Sequence, residues 1–136
     1  MSAGKNNPVT IAKAVYQAYV DKDRALMESL VGDDFYFTSP LDNRLDRATY
    51  FARCWPNSRT ITGFSLVHCV PNGDKVFVTY EGHVQAGKPF RNTELLTIRG
   101  GKLLEAEVYF GWSLPHEAPA GGFINPDRKT RAHRHG

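Results

Sequence analysis

Two alternating apolar runs flank Arg99-Gly100-Gly101-Lys102, and no other stretch constrains the chain as strongly. Both central residues of a tight type I′ turn need φ > 0, which glycine reaches without steric cost, so the spacing predicts an antiparallel hairpin. Period-2 alternation places Phe90, Asn92, Glu94, Leu96 and Ile98 on one face of its first strand. Arg91, Thr93, Leu95, Thr97 and Arg99 fall on the other. The second strand offers Ala106, Val108, Phe110 and Trp112 as an apolar face, against Glu105, Glu107 and Tyr109. Glu94 thus stands among apolar neighbours on the face expected to be buried. A carboxyl there is either a satisfied core group or a working one.

At 136 residues the chain is the size of one domain and can bury roughly two-thirds of its unfolded surface without disulfide or metal staples. The net charge of +3 is local: residues 127–136 hold Asp127 against Arg128, Lys129, Arg131 and Arg134, and residues 1–126 balance 13 basic with 13 acidic side chains. A nucleic-acid surface is therefore not a property of the domain, although the basic end alone could touch an acidic partner. Cys54 and Cys69 lack CxxC spacing and are read as reduced thiols. His116, His133 and His135 have no partners at metal-ligand spacing, and no glycine loop is built to cradle phosphate. Neither metal nor cofactor is expected. No run approaches the ~20 apolar residues of a membrane span, and the start lacks an apolar signal core, which suggests a cytoplasmic protein.

Asn7-Pro8 should cap and open a helix whose stripe is Ile11, Ala12, Val15, Ala18 and Tyr19. Asp23 should cap a second helix carrying Leu26, Met27, Leu30 and Val31, with Gly32 as its left-handed stop. Phe35–Ser39 reads as a strand ended by Pro40. Asp46 should cap a third helix with Tyr50, Phe51, Cys54 and Trp55 inward. From about Arg59 the texture is strands only: Thr60–Val70, a Pro71-Asn72-Gly73-Asp74 turn, Lys75–Gln85, then the hairpin. Three helices followed by an antiparallel meander make an α+β domain, a curved sheet with helices across its concave face. The expected divisions are a flexible 1–7, a domain over 8–114, and an irregular 115–136 with a basic, disordered end.

This order resembles the SnoaL-like group of the nuclear-transport-factor-2-like superfamily, which includes the ketosteroid isomerases. The resemblance rests on Gly32-Asp33-Asp34-Phe35…Ser39-Pro40 and on Arg99-Gly100-Gly101-Lys102-Leu103, and covers about residues 8–114. It implies a cone-shaped, mainly antiparallel sheet whose interior is a ligand pocket. It also implies acid/base isomerase, cyclase or dehydratase chemistry, or else a non-catalytic binding or dimerisation module. The isomerases' base aspartate falls on Ser39 here, which is no base at neutral pH. The cyclases' aspartate falls in Phe110-Gly111-Trp112, and the first-helix tyrosine on Val15, with Tyr19 one turn later. The isomerases' second acid matches Glu94; in that family it stays protonated and donates a hydrogen bond to a developing oxyanion.

The residues expected to carry chemistry are Glu94 with Tyr19 as donors to a carbonyl oxygen, and His68 or Asp42 as proton shuttle. His68 follows Phe64 and Leu66 in alternation, and could equally be a structural histidine. Asp42 could equally make a turn. The pocket lining is expected from Val15, Ser39, Tyr50, Trp55, Tyr80, Leu96, Val108, Phe110 and Trp112, a set that could also fill a solid core. The expected partners are a small hydrophobic ligand and a second copy of the chain, the latter against Glu105, Glu107 and Tyr109 on the outer sheet face.

Overall fold

In the computed structural model, which describes residues 7–122, each helix begins at the capping residue its sequence supplies. Asn7 Oδ1 accepts from the Val9 N–H at 2.8 Å and opens α1 (Pro8–Asp21). Asp23 Oδ1 accepts from the Leu26 N–H at 3.0 Å and opens α2 (Arg24–Leu30). Asp46 Oδ1 accepts from the Thr49 N–H at 2.9 Å and opens α3 (Arg47–Arg53), which runs on into a 3-10 turn at Trp55–Thr60. Such bonds satisfy the first amide donors, which have no partner within the helix. Gly32 departs from expectation: α2 passes directly into extended backbone at Val31, and Gly32 lies inside the following strand. Its bare Cα admits Leu104, whose Cδ2 would stand 3.0 Å from an added Cβ. The left-handed residue belongs instead to α1, which stops at Lys22 (φ 57°).

The strands are β1 (Val31–Ser39), β2 (Asp42–Asp46), β3 (Ile61–Asn72), β4 (Lys75–Val84), β5 (Phe90–Arg99) and β6 (Lys102–Ser113). They form one curved sheet in the order β2-β1-β6-β5-β4-β3, antiparallel throughout except where β1 lies parallel to β6. Gly100 and Gly101 both take positive φ (62° and 78°), and Arg99 pairs with Lys102 as the hairpin signal requires. β2 escapes sequence reading because Asp-Asn-Arg-Leu-Asp is polar and forms a short edge, where side chains meet water on both faces. Asp42 therefore sits on a strand and not in a flexible loop. The helices cover the concave face: Ala12, Val15, Tyr16 and Ala18 of α1, Met27 of α2 and Tyr50 and Phe51 of α3 pack on Phe35, Val76, Val78, Leu96, Ile98 and Leu103 of the sheet. Among the described residues no helix is long and apolar enough to cross a membrane. The basic segment 127–136 lies outside the described residues.

Bulges in β3 and β6 change which side chains point inward, and two of them bear on the expected site residues. In β3, Leu66 pairs with Tyr80 but His68 pairs with Thr79, so Val67 is an extra residue. Past this point the alternation inverts. Cys69, opposite Val78, turns inward, and His68 joins the exposed outer face. In β6, Phe110 pairs with Asn92 but Trp112 pairs with Arg91, which leaves Gly111 unpaired with β5. An added Cβ on Gly111 would stand 2.1 Å from the Arg91 carbonyl oxygen, so only glycine permits this approach. Gly111→Ala should therefore cost about 1–3 kcal/mol, the range for forcing atoms into an occupied space. Urea unfolding measures it, and an unchanged midpoint would contradict the close approach.

Candidate active site

The concave face does not close onto the helices. Between them lies a cavity of about 500 Å³, open at one end, within the 300–1,000 Å³ range usual for small-molecule sites. Its floor is Glu94. Cross-strand register sets this carboxyl between Val78 and Val108, with Leu96 two residues along the same face. All three neighbours are buried. A charge in such surroundings loses its hydration, and this burial raises the Glu94 pKa above the ordinary carboxylate value. The hydrogen bond from Tyr80, and then the nearness of the Tyr16 hydroxyl, pull in the opposite direction without cancelling the effect.

The polar groups around Glu94 form a directed chain. Gly111 N–H donates to Asn92 Oδ1 at 3.1 Å, Asn92 Nδ2 donates to Tyr80 Oη at 3.3 Å, and Tyr80 Oη donates to Glu94 Oε2 at 2.7 Å. Tyr16 approaches from α1. Its hydroxyl is buried beside Glu94 yet completes no hydrogen bond among the described residues. Burial, and then the neighbouring Glu94 charge, push the Tyr16 and Tyr80 hydroxyls well above their ordinary pKa, so both remain donors at any physiological pH. Tyr19, the expected partner of Glu94, is engaged elsewhere: its hydroxyl bonds to that of Tyr50 on α3. This pair forms part of the wall facing the sheet.

Most of the expected lining is present. Val15, Tyr19, Tyr50, Tyr80, Leu96 and Val108 border the cavity, and Ser39, Asp42, Phe110 and Trp112 border it toward the open end. Ser39 Oγ accepts from the Leu41 N–H at 3.1 Å and so holds the β1–β2 turn. Asp42 Oδ1 lies 3.3 Å from Arg53 Nη2, which keeps a second carboxylate at the cavity wall. Phe110 and Trp112 are about half exposed (52% and 49%), where the Gly111 bulge splays the end of β6. Trp112 stacks on His116 with ring centroids 4.4 Å apart.

Two expected residues do not belong to the site. His68 is carried to the outer face by the Val67 bulge. Trp55 packs edge-on against Tyr19 at 4.9 Å and lies behind the wall, because the helical turn ends at Arg53 and swings the indole into the core. Among the lining residues that escape sequence reading are Tyr16, Asn92 and Cys54. Tyr16 could have been found as the residue four after Ala12 on the α1 stripe, and Asn92 as the second polar residue on Glu94's own face. Cys54 is half-buried, and burial raises its thiol pKa, so it is no activated nucleophile. Among the described residues no three His, Cys, Asp or Glu side chains gather around a common point. Among the described residues no Lys, Arg or His side chain lines the cavity.

The fold has many solved relatives. The structure of an LEH-like epoxide hydrolase from M. tuberculosis superposes with a TM-score of 0.65 at 15% identity, covering 76% of this chain and 82% of that one. A putative polyketide cyclase from Sinorhizobium meliloti gives 0.62 at 18% identity, covering 72% and 92%. A Catenulispora acidiphila protein of ketosteroid isomerase-like fold, in complex with trimethylamine, gives 0.60 at 17% identity, covering 85% and 97%. At these identities the likeness is one of fold. No curated protein matches the chain by sequence. A family model for the SnoaL-like domain matches residues 12–106, most of the helices and sheet described above, and the chain belongs to that family.

Proposed function

We propose that this domain binds a small, largely apolar molecule bearing a carbonyl or ether-type oxygen and catalyses a cofactor-independent acid/base reaction on it, an isomerisation, cyclisation or dehydration. One observation carries the reading: a carboxyl with a raised pKa stands on the floor of an apolar cavity beside a buried hydroxyl that makes no hydrogen bond among the described residues. Protonated Glu94 and Tyr16 both donate to the substrate oxygen. Asp42, a second carboxyl lining the cavity, takes a proton from the carbon α to the carbonyl group. The C–H bonding pair becomes the C=C bond of an enol as the C=O π pair moves onto oxygen, which takes the proton of Glu94; return of a proton from Asp42 to carbon and of the enol proton to Glu94 restores both groups. The absence of lysine, arginine and histidine from the described lining argues against an anionic substrate. The epoxide hydrolase and putative polyketide cyclase that share the fold support this class of small organic substrate.

Deuterium uptake into a panel of cyclic ketones in D2O, followed by NMR, tests the chemistry without knowledge of the natural substrate. Glu94→Gln and Asp42→Asn should each lower uptake by at least about 100-fold, the lower end for losing a general acid or base. Uptake by Glu94→Gln equal to wild type would overturn the assignment.

Burial of Glu94 also has a stability signature. The unfolded chain releases this proton near about pH 4.3, whereas the folded chain holds it to higher pH. Between those values the native state binds more protons, so wild-type stability falls as pH rises through the folded pKa. Glu94→Gln should match wild type below about pH 4 and exceed it at higher pH. Parallel stability curves for the two proteins would show that the carboxyl is not desolvated.

The same reading includes a homodimer through the outer sheet face. Support comes from the row Val70, Phe77, Leu95 and from Tyr109; Val70, Phe77 and Tyr109 are 53%, 42% and 57% exposed. Light scattering should give twice the chain mass for wild type and one chain mass for Phe77→Lys combined with Tyr109→Asp. A monomeric wild type would end this part of the proposal.

A further inference from the structure

Glu94 is not the only group on which the proposed acid depends, and its hydrogen-bond chain has a direction. The Gly111 N–H can only donate, so the Asn92 oxygen must face it and the Asn92 amino group must face Tyr80. That amino group can also only donate. The Tyr80 oxygen therefore accepts from Asn92, and its single proton is left for Glu94 Oε2. The backbone of β6 thus dictates which way the Tyr80 hydroxyl points. The bulge is essential to this: it frees the Gly111 N–H from β5 backbone pairing and turns it onto a side chain.

We propose that Asn92 is a positioning residue for the reaction, holding the Tyr80 hydroxyl as an obligate donor to Glu94 Oε2 and so leaving Oε1 as the oxygen that exchanges a proton with substrate. This rests on the reading of Glu94 as the working acid. A protonated carboxyl places its hydrogen on the oxygen not already receiving one. With Tyr80 fixed on Oε2, that hydrogen sits on Oε1. Were Tyr80 free to rotate, the proton could settle on either oxygen, and part of the population would present no donor to the ligand.

The other ionisable groups near Glu94 leave Asn92 this role. From α1 come Tyr16 and Tyr19, from α3 Tyr50, and from β4 Tyr80, all hydroxyls with raised pKa. From β6 the register partner is Val108, and Phe110 faces Asn92. None is a cation. The hydrogen bond of Tyr80, strengthened by donation from Asn92, is thus the main protein interaction that favours ionised Glu94.

The experiment is an NMR titration of the Glu94 side-chain carboxyl carbon in ligand-free, full-length protein, compared across variants. Asn92→Asp keeps the shape and can still accept from Gly111. It offers Tyr80 a carboxylate in place of a donor, so the Tyr80 proton turns away from Glu94 and a negative charge comes nearer. The Glu94 midpoint should then move up from its wild-type value. Tyr80→Phe, which removes the donor itself, should also move it up. Thr79→Val, on the outer face where the Thr79 hydroxyl bonds that of Thr93, should leave it unchanged. In the deuterium-uptake assay, Asn92→Asp should lower kcat more than it raises KM. A Glu94 midpoint that moves in Tyr80→Phe but not in Asn92→Asp overturns the role of Asn92 and leaves Glu94 as the acid. An ordinary carboxylate midpoint in wild type overturns both.

Discussion

A carboxyl set between two valines on the inner face of a sheet is the constraint around which this molecule is arranged. Burying an ionised group without compensation costs far more than one hydrogen bond returns, so such a group either changes its pKa or acquires partners. Glu94 does both. The hydroxyl of Tyr80, not a cation, bonds it, so the floor of the cavity is uncharged when the acid is protonated. An arginine in place of Tyr80 would hold Glu94 ionised and remove its capacity to donate. The choice of tyrosine preserves a group that can hold or release a proton.

That arrangement needs a cavity that stays open, and the aromatic residues explain how it can. Tyr16 meets Phe64 and Tyr80 at centroid distances of 5.2 and 5.3 Å, Tyr50 meets Phe35 and Phe37 at 5.0 and 5.1 Å, and Tyr19 leans on Trp55. Tilted and edge-to-face contacts of this kind are attractive in specific orientations, so rings brace one another into a wall instead of collapsing into the space. The Tyr19–Tyr50 bond ties α1 to α3 and fixes the wall opposite the sheet. Trp55, behind that wall, supports the site without touching its contents.

Where the sequence was legible, the signal was local. Asn7, Asp23 and Asp46 cap their helices because short polar side chains reach the first free amides wherever a helix starts. Gly100-Gly101 makes its turn because few other pairs can. The inward position of Glu94 follows from alternation in an unbroken part of β5. The failures are equally physical. His68 sits beyond a bulge, and one inserted residue inverts every later assignment on a strand. No periodicity argument can see such an insertion before strand pairing is known. Gly32 carried a helix-stop signal because glycine tolerates left-handed backbone, yet it is used for its lack of a side chain against Leu104. Tyr16 lies beside Tyr19 on α1 but outside the stripe that the sequence marks, and only packing decides which of them reaches Glu94.

The Gly111 bulge is the element that joins these observations. It splays Phe110 and Trp112 to form the open end of the cavity, and it also turns a backbone N–H inward to orient Asn92. One irregularity in β6 therefore shapes the entrance and aims the donor on the floor. A regular strand would have paired the Gly111 amide with β5, continued the apolar face through Trp112 and left Asn92 free to flip. Tyr80 would then lack a fixed donor, and Glu94 would be a buried carboxyl with no assigned proton position. The sheet gives up one residue of regular pairing at this point, and in exchange its floor gains a defined direction of hydrogen bonding.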